Sequence, residues 1–139
     1  MANTQIPAKG LSQPNQFRNI VINGDMSIAQ RGTSKTGIGN GDGAYHTVDR
    51  WKFTEVGTST AEFTQTQSTD VPSGQGFTNS LKMDCTTADT SLASNDIFRI
   101  QQYVEGQNLQ YLKKGTANAE KLTLSFWVKS NKTGTYSVY

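Results

Sequence analysis

NIVINGDMSIAQRGTSKTG, residues 19–37, followed after a glycine-rich gap by YHTVDRW, residues 45–51, is the stretch on which the reading of this chain turns. Ile20, Val21 and Ile22 form a β-branched run, which suits a pleated, packed surface better than a helix. Asn23, Gly24 and Asp25 tolerate positive φ, the chemistry of a tight turn or bulge. Met26 and Ile28 resume an alternating pattern, so extended chain is expected on both sides of a kink. Gly32 closes that strand, and residues 33–43, glycine and small polar almost throughout, are expected to form a loop.

Working outward, the same alternation recurs in short segments. Residues 49–56 read as a strand, with Trp51 and Phe53 on one face and Lys52 and Thr54 on the other. A turn at Gly57 leads into residues 61–67, where Ala61 and Phe63 alternate with Glu62 and Thr64. Residues 81–85, LKMDC, give a half-buried strand pattern, and residues 97–104 place Phe98, Ile100 and Val104 on one face. Residues 105–114 change period and suit a short helix stopped by Gly115. Residues 122–129, LTLSFWVK, are the clearest strand: Leu122, Leu124, Phe126 and Val128 make one face, and Thr123, Ser125, Trp127 and Lys129 the other. A turn at residues 131–134 returns into residues 135–139.

Composition agrees with this pattern. Eighteen threonines, twelve serines and thirteen glycines in 139 residues indicate many strands and turns in one domain. A net charge of +2 is too small to advertise nucleic acid or an anionic membrane as partner. The single cysteine, Cys85, excludes an internal disulfide framework, and its alternation with Leu81 and Met83 predicts a buried thiol. Residues 1–16 are polar and broken by Pro7, Gly10 and Pro14, which reads as an N-terminal arm ahead of a domain over residues 17–139. That opening carries no signal-peptide pattern, and no apolar run approaches the roughly 20 residues that span a bilayer. A soluble protein made without the secretory pathway is the expectation. Alternating strands with one helical excursion predict an all-β, antiparallel β-sandwich.

The opening stretch resembles one class of protein, the phage tail-fibre and appendage proteins that carry a jelly-roll domain similar to carbohydrate-binding modules. The residues that carry the resemblance are Asn23, Gly24 and Asp25, then Gln30, Arg31, Gly32 and Thr33, then Tyr45 with Asp49, Arg50 and Trp51. A second matching stretch runs IQQYVEGQNL over residues 100–109 and LTLSFWVKS over residues 122–130. The resemblance implies a jelly roll. It also implies a non-catalytic virion component, a tail-fibre or appendage subunit assembled in the host cytoplasm and used in particle assembly and host-surface attachment. The arm would dock to other virion proteins, and the domain would pack as a homo-oligomer, a trimer. Jelly rolls of this sort usually need further strands after residues 136–139. The expectation is therefore that residues 17–139 are the N-terminal part of a longer domain, or that neighbouring subunits complete the sheet.

Chemistry is sparse. His46, the one histidine, lies in a loop and is expected to be exposed, and no Gly-x-Ser-x-Gly elbow accompanies it. Carboxylates are scattered singly, without the paired spacing of a glycosidase, and no phosphate loop or zinc spacing occurs. Similar proteins often hold a structural calcium near the Asn-Gly turn. Asp25 is the candidate ligand here, but Ser27 stands where a glutamate is often found, which weakens an oxygen cage. Trp51 is expected to anchor the core beside Phe53 rather than stack on a sugar, and Asp49 and Arg50 to pair locally rather than bind ligand. Trp127, on the polar face of its strand, is a contact-site candidate, and Tyr103, Tyr111, Tyr136 and Tyr139 could extend such a surface. A monomeric glycan-binding module is the competing function class, with a polysaccharide hydrolase behind it.

Overall fold

The computed structural model describes residues 19–139; the expected arm over residues 1–16 lies outside them. The described residues are mostly β, built from six strands and one short helix. In chain order the strands are β1 (Ser34–Ile38), β2 (Gly43–Ala44), β3 (Lys52–Val56), β4 (Glu62–Ser68), β5 (Ser80–Thr87) and β6 (Ile97–Gln101). A 3-10 helix, Gly106–Leu112, follows. The strands form two antiparallel three-stranded sheets, ordered β1-β4-β5 and β2-β3-β6.

Register decides which side chains meet. Directly opposed residues share a face of an antiparallel pair. Phe53 opposes Ile100 and Glu55 opposes Phe98, so these four line one face of the β2-β3-β6 sheet. Phe63 opposes Cys85, Gln65 opposes Met83 and Gln67 opposes Leu81 on the other sheet. The Phe63 ring lies 5.3 Å from that of Phe53 and 5.2 Å from that of Phe98, both tilted, which joins the two faces. Tilted aromatic pairs at this separation add roughly 0.5–1.5 kcal/mol each beyond the area they bury.

The core is small and half polar. Ile38, Val48, Phe53, Ala61 and Leu112 are buried, and so are Thr47, Thr54, Glu55, Ser59 and Gln65. Gln65 Oε1 accepts from both the backbone N–H and the hydroxyl of Thr47, a buried pair that ties the loop before β3 to β4. Two glycines take backbone conformations that side chains disfavour. Gly37, at φ +65°, sits where β1 slips register against β4, and Gly57, at φ +128°, leaves no room for a Cβ beside Asp96.

Several expectations need correction. Residues 33–43 are not simply a loop: Ser34–Ile38 pairs with β4, because glycine and threonine meet the ladder through backbone groups that need no apolar side chain. Conversely, residues 20–22 and 26–28 form no strand; Asn23 and Met26 both adopt positive φ, so the segment turns instead of pairing. Trp51 precedes β3 rather than lying in it. The helix stops at Leu112, where Lys113 takes the left-handed conformation, two residues before Gly115. Cys85 is exposed because β5 is a sheet edge, while the His46 side chain is only 9% exposed. Residues 122–129 and 135–139 form no strand, since neither runs beside a pairing partner among the described residues. Among the described residues, no helix is long and apolar enough to cross a membrane.

Candidate interaction site

The signature residues are spent on one another. Asn23 Nδ2 donates to the carbonyls of Ile28 and Asp49, each at 2.9 Å, while its Oδ1 accepts from the Ile28 N–H at 3.0 Å. The Asn23 carbonyl takes the Trp51 indole N–H at 2.9 Å, which fixes the half-buried ring. Arg31 pairs with Asp49 at 2.9 Å and lies over the Tyr45 ring. Arg50 reaches the Glu105 carboxylate at 2.7 Å and the Tyr103 carbonyl at 3.1 Å. Gln102 exchanges two hydrogen bonds with the Ile22 backbone, at 2.9 and 2.7 Å. Gln67 donates to the carbonyls of Met26 and Ser27.

This network clamps residues 22–31 onto the start of β3 and onto the segment after β6. Its two halves are the two stretches singled out from the sequence: Asn23, Arg31, Asp49, Arg50 and Trp51 belong to the first, and Gln102 and Glu105 to the second. The Arg50 guanidinium, with an Asn108 hydrogen bond and a backbone N–H, holds the Glu105 carboxyl below its ordinary range. Gly24 sits close to Val21, where a Cβ would approach Cγ1 to 3.1 Å. Gln30 and Asp25 are exposed. Asp25 brings one carboxylate to the turn, and among the described residues no three His, Cys, Asp or Glu side chains gather as metal ligands.

A second group of carboxylates organises the turn between β3 and β4. Asp96 accepts from the backbone N–H groups of Thr58, Ser59 and Ala93, at 2.6, 3.2 and 2.7 Å. Asp89 accepts from those of Thr60 and Ser91. These donors stabilise the ionised form and hold both carboxyls below their usual range. Glu55 is the opposite case. It is 1% exposed, and neither carboxyl oxygen makes a well-directed hydrogen bond. Burial pushes its pKa up, the Ser59 hydroxyl offsets part of the rise, and the charges of Asp96 and Asp42 add to it. His46 Nε2 lies 3.1 Å from Asp42 Oδ1. None of these groups opens onto the cavity of about 140 Å³ lined by Asn19, Ile20, Ile22, Asn108 and Tyr111. That cavity offers no carboxylate pair with which to cut a glycosidic bond.

The exposed surface is different. From Lys113 to Tyr139 every residue is exposed. Leu122, Leu124, Phe126, Trp127 and Val128 are all more than half exposed, Trp127 at 64% and Val128 at 74%. Tyr136 and Tyr139 follow at 65% and 92%. The segment is tethered at few points: the Glu120 N–H donates to the Leu112 carbonyl, and Lys129 pairs with Asp70 at 2.6 Å. Within it, the Tyr136 hydroxyl meets Ser130 Oγ at 2.8 Å. Tyr103 is exposed as well, whereas Tyr111 is half-buried at the cavity wall. The structure thus brings Trp127, Tyr136 and Tyr139 onto one exposed segment and separates Tyr111 from it.

No family model, curated protein or solved structure matches the chain. Function therefore rests on the site alone. Sequence reading passed over Gln67 and took Gln102 only as part of a longer stretch, although both hold the clamp from its far side. Their only signal was position: a glutamine carries both a donor and an acceptor and can pair with a backbone amide unit at any separation.

Proposed function

We propose that the chain is a non-catalytic structural subunit of a phage-like virion, a tail-fibre or appendage component built on a jelly-roll sandwich. It acts in particle assembly and host-surface attachment. The observation that carries this reading is the row of exposed aromatic and aliphatic side chains over residues 122–139. Exposed apolar surface on this scale marks an interaction site in a folded protein. The signature residues Asn23, Arg50 and Trp51 support the same reading, because their side chains are spent on holding a scaffold together. Residues 1–16 serve as the docking arm to other virion proteins, and the domain associates as a trimer.

Light scattering on the purified chain tests the reading, with a concentration-dependent trimer as the expected result. A chain that stays monomeric and binds a host polysaccharide would instead be a glycan-binding module. The exposed Trp127 and Tyr136 rings favour that second reading, since an aromatic face can stack on a sugar ring. Release of sugar from the polysaccharide, abolished by replacing one carboxylate, would overturn both.

A further inference from the structure

We propose that residues 122–129 add as a strand to the open β5 edge of a second copy of this chain. The inference rests on the assembly reading above and names the element that performs it. β5 pairs with β4 on one side, so its other side presents a row of backbone N–H and C=O groups without ladder partners among the described residues. Such an edge is a template for another strand. Of the four sheet edges, β2 is two residues long, β6 is five, and β1 is interrupted by its register shift. β5 has eight residues and keeps regular register from Ser80 to Cys85. The segment Leu122 to Lys129 has the matching length and an unbroken period of two.

Charge sets the direction. Lys129 already pairs with Asp70, whose carbonyl accepts from the Ser80 hydroxyl at the start of β5. Antiparallel addition with Lys129 opposite Ser80 places the same lysine beside the same aspartate of the second copy. That register sets Val128 opposite Leu81, Phe126 opposite Met83 and Leu124 opposite Cys85. The apolar row Leu122, Leu124, Phe126 and Val128 then prolongs the row Leu81, Met83 and Cys85, whose last member is exposed.

Area points to a second copy as the occupant. Within residues 122–129, Phe126 and Trp127 offer on the order of 150–250 Å² each. With Leu122, Leu124 and Val128 they supply a large part of the roughly 800 Å² that one side of a stable interface covers. Each copy carries both a donor segment and an acceptor edge, so the contact is head-to-tail, and the trimer proposed above requires that its rotation close a ring of three.

Disulfide trapping between two differently tagged copies tests this. One copy carries Cys85→Ser and Leu124→Cys, and the other keeps its native Cys85. The expected product under mild oxidation is a mixed disulfide between the copies, at least about tenfold more abundant than with Thr123→Cys, whose side chain points to the other face. Ser125→Pro, which removes a ladder donor from an exposed segment, should lower oligomer and cross-link about tenfold while leaving Trp51 fluorescence, read in a Trp127→Phe background, unchanged. Equal yields for positions 123 and 124 would overturn the strand geometry. So would a disulfide formed within single copies carrying Cys85 and Leu124→Cys, independent of concentration, since the segment would then pair with its own sheet. Oligomers that persist in Ser125→Pro without the cross-link would overturn this inference and leave the assembly reading standing. A monomer at every concentration would overturn both.

Discussion

At the scale of single residues, Asn23 shows why a short polar motif can carry a fold. Its φ of +54° is tolerated by asparagine more readily than by most residues, and its side chain replaces a missing strand by binding two carbonyls and one N–H. Asn23→Ala removes all three bonds and leaves the left-handed backbone without its side-chain support. At about 1 kcal/mol per net hydrogen bond, the expected loss is about 2–3 kcal/mol of stability. Asn23→Asp discriminates between roles. An acidic side chain keeps the acceptor for the Ile28 N–H but turns a carboxylate toward the carbonyls of Ile28 and Asp49, so it should also destabilise. A calcium ligand at this position would instead gain from the added charge. Urea unfolding followed in a Trp127→Phe background by the fluorescence of Trp51, whose indole donates to the Asn23 carbonyl, measures both variants, and a loss under about 0.5 kcal/mol in Asn23→Ala would contradict the clamp.

At the scale of elements, legibility followed whether a strand alternates apolar with polar side chains. β4, β5 and β6 were readable because that alternation marks one face, and their bounds lie within a few residues of those expected. β1 was not, since Ser34, Lys35, Thr36 and Gly37 are all exposed and join the sheet by backbone bonds alone. Residues 122–129 failed the other way: the pattern describes a strand, but a strand exists only beside a neighbour, and periodicity says nothing about which chain supplies it. The site was legible in the same uneven manner. Trp127 could be found by its size on a polar face, whereas the pairing of Arg50 with Glu105 spans 55 positions and no local pattern encodes it. Between the elements, Phe63 makes the contact that turns two sheets into one body. Phe63→Ala should cost about 3 kcal/mol and Phe63→Leu distinctly less, because leucine refills much of the volume without the ring contacts. Matched urea midpoints for Phe63→Ala and the native chain would mean that the sheets are held together elsewhere.

For the whole molecule, the carboxylates impose opposing pH dependences that a single variant can separate. Asp89, Asp96 and Glu105 have folded pKa values below their unfolded ones. The stability they contribute is present above the unfolded values and is lost as pH falls through the folded ones. Glu55 has its folded pKa above its unfolded one, because burial disfavours the charge. For this group the folded state holds a proton that the unfolded state has released. Stability therefore falls as pH rises from the ordinary glutamate value of 4.5 through the folded value, and the penalty persists above it. The two trends place the stability maximum on the acidic side of neutrality. Glu55→Gln removes the charge but keeps the volume and an amide that can face the Ser59 hydroxyl. It should stabilise the protein at neutral pH by about 1 kcal/mol, the scale of a buried polar group relieved of its penalty. The gain should vanish as pH falls toward 4.5, leaving the acid limb set by Asp89, Asp96 and Glu105 unchanged. Urea midpoints of the two proteins across this range give the comparison. A constant offset at every pH would assign the effect of Glu55 to packing, whereas curves that converge in acid assign it to the buried charge.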